Sequence, residues 1–160
     1  MILDYRRASN SDLDICADIR GATQDNSIDK ATLIQFGVTT ELWSPKMENG
    51  TYIGVVAEDK GEVIAYCYGN TETGEVLVLA VLPYYEGYGV GKKLLLMVVE
   101  CLFSQGLTEL WLAAGASSSI RSYGFYRHIG WSPTGELDDN GDEILRYKKT
   151  YQKNKQGQLA

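Results

Sequence analysis

Cysteine, proline and histidine are scarce in this 160-residue chain, at three, three and one residues. Cys16, Cys67 and Cys101 are odd in number, widely spaced and set among apolar neighbours. That excludes a disulfide framework or a zinc knuckle and suits reduced core thiols in a cytosol. The only histidine is His128, there is no Gly-x-Ser-x-Gly elbow, and no cysteine sits in a reactive context, so a Ser-His-Asp or Cys-His nucleophile has no support. His128 reads instead as a helix C-terminal residue facing the last carbonyls. Long hydrophobic runs are also missing. The longest, Val76 to Leu82, falls far short of the roughly 18 to 20 residues that span a bilayer and reads as a buried strand. The opening, Met1 to Ser9, puts Asp4, Arg6 and Arg7 where a secretory leader needs an apolar core, so export is not expected and a cytoplasmic setting is.

What is present is globular in kind: 44% hydrophobic residues, 22% charged residues and 17 glycines. We expect one domain over residues 1–147 and a polar, flexible tail over 148–160. The net charge is -6. Four lysines and no acid follow Tyr147, leaving 11 basic against 21 acidic residues before that point, a body charge of -10. Such a body repels phosphate backbones and attracts cations, so no nucleic-acid partner is expected and a cationic substrate is favoured; solubility alone also accounts for acidity of this size.

Periodicity orders the elements. Ile2 to Arg7 alternates as a first strand, Ser11 and Asp14 mark a helix start, and Leu13, Cys16 and Ile19 form its apolar face. From Gly21 to Gly50 only short helical pieces are expected, around Lys30 to Phe36 and Thr40 to Trp43 before Pro45. Tyr52 to Ala57, Val63 to Tyr68 and Val76 to Val81 predict a three-stranded antiparallel meander. A largely buried helix over Leu94 to Phe103 follows Gly91. A short strand over Leu110 to Ala113 and a helix over Ile120 to His128 come next. The chain then forms a hairpin from Trp131 to Leu137 and Glu143 to Tyr147, with an Asn-Gly turn.

The stretch Glu86-Gly87-Tyr88-Gly89-Val90-Gly91-Lys92-Lys93 joins a buried strand to a buried helix. Alternate glycines let several backbone N–H groups converge, and the helix N-terminus adds partial positive charge, so the turn can cradle a phosphate; a plain strand-to-helix turn also wants flexible residues. Two better-known cradles fail on spacing. Lys92 stands where a dinucleotide fingerprint needs its third glycine, and Lys93 where a P-loop needs Ser or Thr.

In order and spacing, Val81-x-Pro83 followed by Glu86-x-x-Gly89-x-Gly91 resembles the acyl-coenzyme A segment of the GCN5-related N-acetyltransferase (GNAT) superfamily, with Glu86 at the position of a Gln or Arg. Downstream, Ser119 to Trp131 is similar to the family's Asn-x-x-Ala-x-x-Phe-Tyr-x-x-x-Gly-Phe segment, with Ser119 and Ser122 in place of Asn and Ala and with Tyr126 retained. The resemblance implies a mixed, mainly antiparallel α/β sheet of about six or seven strands flanked by about four helices. It implies acetyl-CoA as co-substrate, no metal, direct transfer to a primary amine of a small cationic compound or of a peptide or protein, and admits a homodimer. Coenzyme contacts would come from Leu79, Ala80, Val81, Glu86, Gly87, Tyr88, Gly89, Val90, Gly91, Lys92, Ser119, Ser122 and Tyr126.

The chemistry sets its own demands. A lysine-like amine is neutral on the order of once in 10³ at pH 7, about 4 to 5 kcal/mol of barrier unless a base or a desolvating pocket helps. By resemblance Tyr126 is the general acid for the leaving thiolate; packing on the core is its other reading. Glu75 stands six residues before Val81, the offset of a catalytic glutamate in one family branch, and on a regular strand it would share a face with Leu77, Leu79 and Val81. It is the candidate general base, against a hairpin-end glutamate facing water. Trp43, Tyr52, Tyr66 and Tyr68 either line an amine pocket or simply pack. A non-catalytic acyl-CoA sensor and a protein-interaction module are the alternative functions.

Overall fold

Residues 1–25 and 27–150 are described by a computed structural model. The meander forms as its alternation demands: β1 (Asp4–Arg7), β2 (Tyr52–Asp59), β3 (Glu62–Asn70) and β4 (Val76–Val81) pair antiparallel in that order. A second antiparallel sheet is built from β5 (Glu109–Ala114), β6 (Ser132–Leu137) and β7 (Glu143–Lys148) in the order β5-β7-β6. One isolated parallel bridge, Glu75 to Trp111, joins the two. The expected mixed architecture is thus present, with the seven strands divided into two sheets.

Five α-helices surround them: α1 (Leu13–Ala22), α2 (Lys30–Gln35), α3 (Thr40–Glu48), α4 (Val90–Ser104) and α5 (Arg121–His128). Val90, Leu94, Leu95, Val98, Val99 and Leu102 give α4 an apolar face at helical spacing. That face meets Val55, Ala57, Ala65 and Cys67 on one side of the first sheet and Leu110, Leu112 and Leu145 of the second. The opposite side of the first sheet presents Val56, Tyr66, Tyr68 and Ala80 to Leu13, Cys16 and Ile19 of α1. Strand alternation thus makes two cores from one sheet. Cys16 and Cys67 are buried free thiols within them, and burial pushes Cys16 up to about 12.

Helix α1 starts otherwise than expected. Ser9, not Ser11, opens a capping box with Asp12, and a 3₁₀ turn over Asn10–Asp12 leads into the helix. Asp12 is buried and accepts from both terminal nitrogens of Arg6 at 2.8 Å and from the Ser9 amide at 2.7 Å. The Arg6 guanidinium holds its carboxyl below the usual range. Helix α3 does not stop before Pro45 but runs on to Glu48. A proline leaves the carbonyl four residues back without its donor. Here that residue is Glu41, exposed and on a helix with no buried residue, so the freed carbonyl is not left in the core. At the other end of the chain β7 extends to Lys148, and the Lys149 amide donates to Thr108 O at 2.9 Å. The tail expected from 148 is therefore anchored through 149, and its part over 151–160 lies outside the described residues.

Candidate active site

The site begins where the two sheets part. The Trp111 amide donates to Gly74 O at 3.1 Å beside the Glu75 to Trp111 bridge. Beyond it β4 pairs only with β3, and β5 only with β7. The Leu82 amide donates to Ile64 O, so by the two-residue period Ala80 and Val78 also face β3, while the amides of Leu79 and Val81 point into the opening. The strand is not regular. Tyr68 pairs with Val78 and Gly69 with Val76, which leaves Leu77 as a bulge. Leu77 accordingly packs with the α1 core, whereas Val76, Leu79 and Val81 pack with the α4 core. The expected common face of Glu75, Leu77, Leu79 and Val81 is broken at this bulge.

At the open end of the gap sits the glycine turn. A 3₁₀ turn over Pro83–Tyr85 leads to Gly87 and Gly89, with φ of 82° and 80°, left-handed values open to glycine at little cost. Gly89 is the N-cap of α4, so the first amides of a fifteen-residue helix face the same opening.

A cavity of about 890 Å³ runs through this gap from the turn to the three short helices. Leu79, Ala80, Val81, Glu86, Gly87, Gly89, Val90, Gly91, Lys92, Ser122 and Tyr126 all line it. Ser119 and Tyr88 do not: Ser119 is bound to Ser117 Oγ at 2.7 Å, and Tyr88 is 63% exposed. Tyr126 comes from α5 with its ring among Phe125 and Trp131, so it both packs and borders the cavity. Burial holds its phenol above the ordinary value, and among the described residues its hydroxyl has no hydrogen-bond partner. Glu75 is half-buried at the vertex, outside the cavity wall, and burial raises its carboxyl. A proton passing between it and the cavity requires a water in between.

The far end is aromatic. Trp43 of α3 meets Tyr68 edge-on at 5.4 Å between ring centroids, and Tyr66 meets Tyr68 at 5.7 Å; all three border the cavity. Tyr52 supports Trp43 at 4.8 Å from behind the wall. Gly54 makes room for this: a side-chain carbon there would stand 2.2 Å from the Tyr68 ring. Asp14 and Glu41 bring acids to the same end, whereas Asp25 lies against the start of α5, its Oδ2 accepting from the Arg121 amide at 3.1 Å. Two arginines belong to the wall without having been singled out from sequence. Arg20 lies near Tyr66 and Tyr126, its pKa lowered by burial, and Arg121 opens α5. Nothing local in the sequence marks either one, because each reaches the cavity through tertiary placement. His128, set aside above, lies in the last turn of α5 and also borders the cavity. Among the described residues no group of His, Cys, Asp and Glu could hold a metal, and no helix is long and apolar enough to cross a membrane.

An α/β fold whose sheets splay beside a glycine turn is shared with a known class of transferases. The sequence pattern of the Acetyltransferase (GNAT) family matches residues 25–131, and the chain belongs to that family. The [ribosomal protein bS18]-alanine N-acetyltransferase of Haemophilus influenzae is 30% identical over 83 residues, 51% of this chain and 56% of that protein. The chain thus spans about half the length of the curated relative it matches. Among solved structures, the PaiA N-acetyltransferase of Thermoplasma acidophilum in complex with coenzyme A superposes with a TM-score of 0.77 at 20% identity, covering 93% of this chain and 100% of that one. The ribosomal-protein-S18-alanine N-acetyltransferase of Escherichia coli gives 0.67 at 17% identity, covering 92% and 94%.

Proposed function

We propose that the protein transfers acetyl from acetyl-CoA directly to a primary amine. The observation that carries this reading is the continuity of the cavity: it joins the glycine turn, the outward-facing amides of β4, Tyr126 and an aromatic, acid-bearing end in one space. The amides of Gly87 to Gly91 and the start of α4 would hold the diphosphate. The amide of Leu79 or Val81 would take the oxyanion as the amine adds to the thioester, a donor worth about 3 to 4 kcal/mol in comparable sites. Tyr126 would give its proton to the departing thiolate, and its raised pKa keeps that proton in place until then. Glu75 would accept the amine's proton through water. The residues of this division of labour fit the group: a hinge of glycines for phosphates, a narrow gap for an extended arm, and a phenol at its inner end.

For the acceptor, a cationic amine suits Trp43, Tyr66 and Tyr68 together with Asp14 and Glu41. The relative from Haemophilus influenzae acts on an alanine of ribosomal protein bS18, so an alanine-ended peptide belongs beside polyamines in the acceptor panel. The test has two stages. Acetyl-CoA and coenzyme A at about 100 times Kd should raise the melting midpoint by about 5 to 10 °C, with ATP and NAD inactive. Thiol release from acetyl-CoA should then depend on one of the amines. Binding without release across the panel would replace the enzyme by a sensor of acyl-CoA, and absence of binding at millimolar coenzyme would refute both.

A further inference from the structure

The coenzyme turn carries a charge problem of its own. Glu86 borders the cavity beside the amides that would receive a diphosphate, and an acid there opposes an anion. Two lysines follow in α4, but only Lys92 borders the cavity. Lys93 lies 4.1 Å above the Tyr5 ring and is engaged there. The side chains of the turn itself therefore offer one positive charge against one negative, which leaves backbone amides to do all the attracting.

The missing cation stands across the gap. Arg121 is the first residue of α5 and borders the same cavity. Its Nη2 lies 4.0 Å from the point that a side-chain carbon on Gly87 would occupy, so the guanidinium faces the turn at its barest position. The start of α5 is tied down, because the Arg121 main-chain N–H donates to Asp25 Oδ2 at 3.1 Å, and the Asp25 carboxylate itself borders the cavity. Among the described residues Arg121 forms no ion pair, whereas Arg6, Arg127 and Arg146 each have a carboxylate partner. Its charge is directed at the cradle and is not spent on the protein. Resting on the coenzyme reading above, we propose that Arg121 is a coenzyme-binding residue that clamps the diphosphate against the glycine turn from α5, offsetting Glu86. A guanidinium suits this duty, since its fork donates two parallel hydrogen bonds to phosphate oxygens.

The test measures Kd by calorimetry for acetyl-CoA, for its 3′-dephospho analogue and for S-acetylpantetheine, which has no phosphate, on wild type, Arg121→Gln, Glu86→Gln and the double variant. Arg121→Gln should weaken acetyl-CoA and the dephospho analogue by the same factor, about tenfold, and leave S-acetylpantetheine unchanged. Glu86→Gln should tighten both phosphate-bearing ligands severalfold, and the double variant should return close to wild type. Added salt should weaken coenzyme binding less steeply in Arg121→Gln than in wild type. Loss confined to acetyl-CoA would place the arginine at the 3′-phosphate and overturn the diphosphate assignment. Equal loss for all three ligands would mark a structural effect and overturn it too. Unchanged affinity in Arg121→Gln, with wild type binding normally, would sink this inference alone. Failure of wild type to bind acetyl-CoA would instead sink the coenzyme reading beneath it.

Discussion

The two ends of the cleft are built on different principles. At the glycine end the wall consists of β4, its turn and α4, with backbone amides held in place by a core that includes Val90, Leu94 and Leu95. At the aromatic end Tyr66 and Tyr68 stand on β3, but the rest of the wall comes from α1 to α3, and of these α3 buries no residue at all. Ile34 and Phe36 on its rim are 56% and 64% exposed. A ligand bound through main-chain amides tolerates change in side chains as long as the fold persists. A ligand bound through side chains on short, thinly packed helices can be exchanged for another by a few substitutions. On the proposed reading, the contrast separates a fixed co-substrate from an acceptor specific to this chain.

Substitutions can break or sharpen that contrast. The largest effect belongs to the junction of the two ends: Tyr126→Phe should lower kcat about 10²-fold or more while the coenzyme Kd stays within about twofold; unaltered turnover with the best amine would remove the phenol as acid. Next, Glu75→Gln should lower turnover tens of fold near neutral pH. Because burial raises Glu75, the wild-type rate should fall with decreasing pH through a value above that of a free glutamate, about 4.3. The variant should lack this limb and approach wild type as the amine deprotonates by itself, and a pH–rate profile reads both. Gly89→Val places a β-branched residue at a φ of 80°, a cost of at least about 1 to 2 kcal/mol, so coenzyme affinity should drop roughly tenfold with the amine KM unmoved at saturating coenzyme. Trp43→Ala should do the reverse, raising the amine KM about threefold to tenfold with an unchanged coenzyme Kd; if both constants moved together, the two ends would not be separable.

The last effect is on stability and not on turnover or binding, and it belongs to the start of α1, outside the cavity wall. Asp12 is held below its free value first by Arg6, with the Ser9 amide assisting, so its contribution is complete above the unfolded pKa of about 3.9 and is lost as pH falls through the depressed folded value. Asp12→Asn should cost about 1.5 to 3 kcal/mol at pH 7 and remove that part of the acid sensitivity, as chemical denaturation at pH 7 and at a pH below the unfolded value of about 3.9 will show.

Legibility in the sequence follows the same division. The meander, β4 to the residue and the glycine turn were readable because alternation and positive φ leave local signatures. The bulge at Leu77 was not, since an extra residue on one strand is defined only by the register of its partner. Helix α3 was cut short at Pro45 because the cost of a proline falls when the freed carbonyl lies on an exposed face, and exposure is a property of the whole fold. Ser119 and Tyr88 belong to well-marked segments yet stand outside the cavity wall, whereas Arg121 carries no local mark and stands within it. Motif spacing locates a backbone, and only tertiary packing says which side chains it brings together.

The parting of β4 and β5 also bears on how the protein keeps to itself. Unpaired amides on a strand are an invitation to a neighbouring chain, the starting point of aggregation. Most proteins protect such strands with charges, prolines or covering loops. Here the donors of Leu79 and Val81 are recessed within the cleft, between the helices on one side and the second sheet on the other. The cleft doubles as a guard, so variants that thin its helical roof should scatter light on concentration, and coenzyme bound there as proposed should suppress that scatter.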